Sequence, residues 1–249
     1  MKVPLKNAKE LDAMRVSCRL AAEVLAEVAA AVKPGMTTGE LDMLGRKLIA
    51  ERGAKASFLG YRQYPAAMCI SVNEEVIHGI PGRRVVLPGD VVSLDVGVLK
   101  NGFHGDCATT VMVSVTDPEK IRLVEATKRA LAAAVAAVRP GGRLGDVSYA
   151  VQSIAEASGC SVVREFVGHG VGRHLHEDPQ IPNYGKPGSG LVLKPGMTLA
   201  IEPMVNLGKE GVYVLDDKWT VVTKDGRPSA HFEHTVAVLE EGSEILTLA

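Results

Sequence analysis

The chain has 249 residues, 28 Lys and Arg against 29 Asp and Glu, and a formal net charge of −1. Its basic residues are scattered, so no nucleic-acid surface is written into it, and its 46% hydrophobic and 23% charged residues are ordinary for a globular protein. No apolar stretch is long enough to span a bilayer, and the opening MKVPLKNAKELDAMRV lacks the apolar run of a secretory signal.

In chain order, Leu11, Met14, Cys18, Ala21, Leu25, Val28 and Val32 step by three and four, the face of a helix that ends at Pro34-Gly35. Thr37 with Glu40 reads as a capping box opening a second helix, along Leu41, Leu44 and Leu48, with Gly53 as its stop. Strand patterns follow: MCISV, VVSLDVGVL and FHGDCATTVMVSV. The last two are joined by Asn101-Gly102, a two-residue hairpin signal. Asp117-Pro118 opens a third helix with the face Val124, Leu131, Val135, Val138, and a fourth runs over roughly 144–158 to Gly159. Then come SVVREFV, TLAIEPMV, WTVVT and HFEHTVAVL. Each half is two helices followed by strands, which predicts an α+β fold: a curved antiparallel sheet with helices on one face.

The halves repeat. VLPGDVVSLD matches LKPGMTLAIE with Asp95 falling on Glu202, and AVKPGMTTGEL matches AVRPGGRLGDV. One domain over 1–249, with halves of about 8–112 and 117–240, is the expected organisation. The four cysteines form no CxxC pair, which argues against a structural zinc site and for a reduced, cytoplasmic setting. Cys18 and Cys160 read as small buried hydrophobes, and Cys107 as core.

The acids carry the chemistry. In the hairpin register Asp106 faces Gly97, so Asp95 lies diagonally beside Asp106 on the same face. Two carboxylates on an apolar hairpin destabilise it unless they share a cation. Two His-Gly pairs, at His78 and His169, read as related positions of the repeat. Their spacings to Asp95 and Glu202 then imply about 16 inserted residues after His169, bearing His174 and His176. Glycine beside each histidine permits a tight turn or the approach of a substrate backbone. Glu202 precedes Pro203, where a strand ends or bulges. Glu233 sits in an apolar strand, where a lone carboxylate is costly. The alternation there puts His231 with Glu233 and His234 on the other face. The candidate ligands are Asp95, Asp106, His169, Glu202 and Glu233. This oxygen-rich, sulfur-free set suits two adjacent divalent ions among Co, Mn, Fe and Zn, without choosing one.

SLDVGVLKNGFHGDCATT, FVGHGVGRHLHEDPQIPNYG, LKPGMTLAIEPM and FEHT resemble the type I methionine aminopeptidases, in order and over nearly the whole chain. The resemblance implies the pita-bread fold and removal of the initiator methionine from nascent polypeptides, with preference for a small second residue. Asp95, Asp106, His169, Glu202 and Glu233 would bind two metals, Asp95 and Glu233 bridging. A hydroxide between the metals would attack the scissile carbonyl, with Glu202 moving the proton and His78 and His176 stabilising the transition state. Tyr61, Tyr64, Cys69 and Trp219 would line the methionine pocket. Leu175, His231 and Phe58 depart from the commoner residues of the family, which leaves the pocket outline open. His104, His174 and His234 are expected outside the reacting groups. The absence of a zinc-binding N-terminal extension points to a minimal bacterial or organellar form. A monomer is expected, with the ribosome as a candidate partner and no membrane or nucleic-acid contact.

Overall fold

A computed structural model describes residues 3–249. Four long helices form where the periodicity places them: α1 (Ala8–Ala31), α2 (Thr38–Glu51), α3 (Pro118–Ala137) and α4 (Leu144–Ala157). Their ends are set locally. Asn7 and Thr37 each accept the N–H of the Glu three residues on, closing two capping boxes. Asp117 caps α3 with Pro118 at its first position. Gly53 and Gly159 follow α2 and α4 at positive φ, +59° and +71°, where the left-handed conformation ends a helix.

Every strand pair is antiparallel. In the first half Val91–Lys100 lies between Met68–Val72 and Phe103–Met112. The hairpin turns at Asn101 (φ +53°) and Gly102 (φ +79°), and Gly97 faces Asp106 as the two-residue loop requires. In the second half Thr198–Ile201 lies between Gly168–Gly170 and His234–Val238. Strand alternation separates two environments. Leu94, Val96, Val98 and Cys107 join residues of α1 and α2 in one apolar core, while Asp95 and Asp106 point to the other face. α3 and α4 pack likewise against Leu199, Ile201 and Val236.

Several strand patterns are interrupted. SVVREFV is strand only over Ser161–Val162, and Trp219 lies in the turn before Val221–Thr223. TLAIEPMV and HFEHTVAVL each break in two, at Glu202-Pro203 and at Phe232-Glu233. The breaks lie side by side, because Pro203 has no N–H to continue the ladder. Glu202 and Glu233 both occupy that gap.

The register corrects one reading of the repeat. Gly97 pairs with Asp106, and Met204, 107 residues after Gly97, pairs with His231. Ser71 pairs with Ser93, and His169 pairs with Ala200, again 107 after Ser93. His169 is therefore the counterpart of Ser71, not of His78, and the insertion before Glu202 is about 9 residues rather than 16. His78 follows Ser71 by the same seven residues that separate His176 from His169. The His-Gly glycines serve the protein's own backbone: a Cβ on Gly79 would lie 2.4 Å from the Ile70 carbonyl oxygen, and one on Gly170 would lie 2.2 Å from that of Asp178.

α1 crosses the hairpin at Gly105, where a Cβ would stand 2.5 Å from the Cα and N of Cys18. Gly105→Ala is expected to lower stability by about 1–3 kcal/mol through overpacking. Gly82→Ala, with open space around it, should change stability by no more than about 0.5 kcal/mol. Denaturant midpoints of the two variants check this, and equal midpoints would contradict the packing argument.

Candidate metal centre and substrate cleft

The fold brings all eleven predicted site residues to one cleft of about 400 Å³: Tyr61, Tyr64, Cys69, His78, Asp95, Asp106, His169, His176, Glu202, Trp219 and Glu233. A larger apolar groove of about 760 Å³, between α1 and α3, carries only Glu233 of the five acids and histidines expected to bind metal. The candidate residues converge in the smaller space.

Asp95 and Asp106 come from the hairpin, His169 from Gly168–Gly170, and Glu202 and Glu233 from the paired breaks. Ligand-capable atoms of Asp106, His169 and Glu233 all lie within 4.8 Å of one another. His169 Nε2 is 3.4 Å from Glu202 Oε1 and 3.9 Å from Asp106 Oδ2. Its Nδ1 lies 2.8 Å from the Gly170 carbonyl oxygen; with the proton on Nδ1, Nε2 presents a lone pair to the acids.

Two halves meet here through their backbones. Ala108 and Glu233 exchange N–H···O bonds of 3.4 and 2.9 Å. Thr110 Oγ1 donates to the His231 carbonyl at 2.6 Å and accepts its N–H at 3.1 Å. Thr235 Oγ1 donates to the Asp106 carbonyl at 2.8 Å and accepts its N–H at 3.3 Å. A threonine of each half thus clasps a residue of the other.

The electrostatics are unfavourable without a cation. Burial pushes Asp95 well above the usual carboxylate range, with the charge of Asp106 adding to it. Asp106 is raised by burial to about 7. Glu202 and Glu233 are pushed well up by burial and then by the neighbouring acids. Asp95 Oδ1, Asp106 Oδ1 and Glu233 Oε1 are buried without a hydrogen-bond partner, and no Lys or Arg forms an ion pair with the four acids among the described residues. Orphaned carboxylate oxygens from both halves, converging beside an imidazole lone pair, fit divalent cations.

One wall of the cleft is aromatic and apolar. Phe58, Tyr64, Cys69 and Leu175 form a buried cluster with Tyr61 and Trp219 against it, so the divergent Phe58 and Leu175 still supply apolar wall. Tyr64 meets Trp219 edge-on at 5.0 Å, and its hydroxyl lies 3.0 Å from the carbonyl oxygens of both Met68 and Gly79. Gly97 lets this wall close over the hairpin, since a Cβ there would stand 2.7 Å from Phe58. His78, at φ +58°, stands edge-on to Trp219 and Phe166. His176 stacks on Tyr61 at 5.1 Å and lies 4.2 Å from the His169 ring. Partial desolvation in the cleft lowers His78 to about 4 and shifts His176, whose ring solvent still reaches, in the same direction, so both are neutral imidazoles near neutral pH. His104 lies outside the cleft, with Nδ1 2.8 Å from Ser57 Oγ, and His234 Nδ1 is 2.9 Å from Thr247 Oγ1. Arg62, Glu165, Phe166 and Gln180 line the cleft without any signal in the sequence pattern. Gln180 reaches it from the strand Glu177–Ile181, where it pairs with His169.

The model of metallopeptidase family M24 matches residues 12–240. The chain belongs to this family. Methionine aminopeptidase 1 of Bacillus subtilis is 50% identical over 243 residues, covering 97% of this chain and 98% of its own length. The methionine aminopeptidase of Clostridium perfringens is 49% identical over 98% of each chain. The crystal structure of methionine aminopeptidase from Thermotoga maritima aligns with a TM-score of 0.98 at 46% identity over 100% of both chains. The α+β, pita-bread expectation is borne out, and membership of a metallopeptidase family makes the chain a metal-dependent hydrolase. No helix among the described residues is long and apolar enough to cross a membrane.

The raised carboxylates fix a pH dependence for the chelator-stripped protein. An acid whose folded pKa exceeds its unfolded value favours the fold below the unfolded value, about 4. That contribution is lost as pH rises through the folded value, about 7 for Asp106. Between pH 4 and 7 the stripped wild type should therefore lose more Tm than stripped Asp106→Asn. Added Mn²⁺ should restore wild-type Tm at pH 7. Parallel Tm profiles for the two stripped proteins would contradict this assignment.

Proposed function

We propose that the chain removes the initiator methionine from nascent polypeptides as a type I methionine aminopeptidase, with both halves forming one catalytic unit. The observation that carries the reading is the adjacency of the buried acid cluster to an apolar, aromatic-walled cleft. The full-length match to methionine aminopeptidases supports it. Asp95, Asp106, His169, Glu202 and Glu233 would hold two divalent ions of Co, Mn, Fe or Zn, which when bound supply Lewis acidity and lower the pKa of water.

The remaining work falls to side chains. Tyr61, Tyr64, Cys69 and Trp219 take the methionine side chain, whose sulfur is attracted to aromatic faces. Glu202, held in a site that favours its protonated form, accepts a proton from the attacking water and passes it to the leaving amine. His78 and His176, as neutral donors, bind the scissile amide and stabilise negative charge developing on its oxygen. A cleft of about 400 Å³ has room for a methionine side chain, and preference for a small second residue belongs to the same reading. The substrate sets the place of action in the cytoplasm at the ribosome. All the residues of this centre come from one chain, so a monomer suffices.

The test is hydrolysis of Met-Gly-Met-Met and Met-Leu-Met-Met after chelation and addition of each metal. Cleavage of the first, restored by Co, Mn or Fe, is expected. Full activity without metal, or equal cleavage of both peptides, would overturn the reading.

Two variant sets follow from the placement. Trp219→Ala should chiefly weaken discrimination of methionine over leucine at the N-terminus, measured as the ratio of kcat/KM values. An unchanged ratio would place the pocket elsewhere. His176→Ala should keep metal content and thermal stability and lose about 10²–10³ in kcat. His169→Ala should lose metal as well. Metal stoichiometry and kcat on the same preparations distinguish them, and comparable metal loss in both would reverse the two roles.

A further inference from the structure

His231 is the buried histidine that the preceding chemistry leaves without a task. It is 2% exposed, and its Nε2 has no hydrogen-bond partner. An unsatisfied buried ring nitrogen is costly unless something facing it supplies a partner. What faces it is Glu202. His231 Nε2 lies 3.6 Å from Glu202 Oε2, while His169 Nε2 lies 3.4 Å from Oε1 of the same carboxylate. The Glu202 carboxylate therefore stands between two imidazoles, one at each oxygen. Of the four candidate acids, His231 meets only Glu202 among the described residues, and it is not itself one of the candidate ligands.

The register makes this placement a built one. Met204 pairs with His231 as Gly97 pairs with Asp106, at the common offset of 107. His231 is thus the counterpart, in the second half, of the acid Asp106. The two positions are held by the same device. Thr110 Oγ1 takes both backbone groups of His231, and Thr235 Oγ1 takes both backbone groups of Asp106. Thr110 is itself braced by Ser93 Oγ at 2.9 Å. With its N–H and C=O both clasped, the His231 backbone cannot move away from Glu202 without breaking two buried hydrogen bonds, and its ring is enclosed by the surrounding protein.

We propose that His231 is a positioning residue for Glu202: it offers its Nε2–H to Oε2 and thereby fixes the orientation in which Oε1 meets the metal side of the centre. The distance of 3.6 Å is just outside hydrogen-bond range, and a small rotation of the carboxylate closes it. The role is that of an outer partner which orients a metal-binding carboxylate. The inference rests on the reading of Glu202 as a metal ligand.

The test uses the full chain with His231→Leu, His231→Gln and Glu202→Ala, each alone, and His231→Leu combined with Glu202→Ala. Mn²⁺ affinity of the stripped proteins is measured by titration calorimetry, and kcat and KM on Met-Gly-Met-Met. His231→Leu should weaken Mn²⁺ binding about 10–100-fold and lower kcat more than it raises KM. His231→Gln, which keeps an N–H donor, should return both to within a few-fold of wild type. In the Glu202→Ala background His231→Leu should have no further effect on Mn²⁺ affinity, the signature of a coupled pair. Unchanged Mn²⁺ affinity and kcat in His231→Leu would overturn the proposal, as would a loss in that variant that Gln does not rescue or that persists undiminished without Glu202. Undiminished Mn²⁺ affinity in Glu202→Ala alone would instead overturn the ligand role of Glu202, and the proposal with it.

Discussion

The arrangement turns on like charges forced together out of water. Four carboxylates, two from each half and three of them buried, line one cleft with the His169 imidazole, and three of their oxygens have no partner in the protein. Isolated, such a cluster opposes folding, because each group is both desolvated and repelled. A bound divalent cation reverses the sign, since the same oxygens become ligands. The site and the stability of the seam between the halves are therefore linked.

The backbone makes that convergence possible. Ten-residue hairpin strands would carry successive acids in parallel rows. The second half departs from this regularity at Pro203, which interrupts one ladder and leaves Glu202 and Glu233 in adjacent gaps. The threonine clasps at Thr110 and Thr235 then join the halves across their shared edge without adding charge. Regular strands on the first side and broken ones on the second let equivalent strands supply different side chains to the cleft. Asp106 has a histidine as its counterpart, and Glu233 pairs with Ala108.

On the proposed reading, substrate selection and chemistry share walls. His176 touches both Tyr61 and the His169 ring, and His78 stands against Trp219. A methionine side chain lying on these aromatics would hold its carbonyl beside the acids, and orientation of that kind lowers a barrier without further contacts. This explains how a cleft of modest volume can join recognition to hydrolysis.

Much of this was legible in the chain. Helix faces, capping boxes, the Asn101-Gly102 turn and the Pro-Gly alignment depend on local spacing and backbone preference, so residues near in sequence determined them. The same spacing put Asp95 beside Asp106, because a two-residue hairpin has only one register. The motif pattern relates His78 to His169, but equivalence across a repeat is decided by strand pairing, and pairing sets Ser71 opposite Ser93 as His169 is set opposite Ala200. Phe166 and the clasp at Thr110 were silent, because their partners, His78 and His231, lie on elements distant in sequence. The sequence by itself determined the elements and the chemical types available to the site. Only the tertiary structure decided which acids converge, which histidines face them and where the cleft closes, because those depend on long-range register and on a strand break whose effect is felt across the seam.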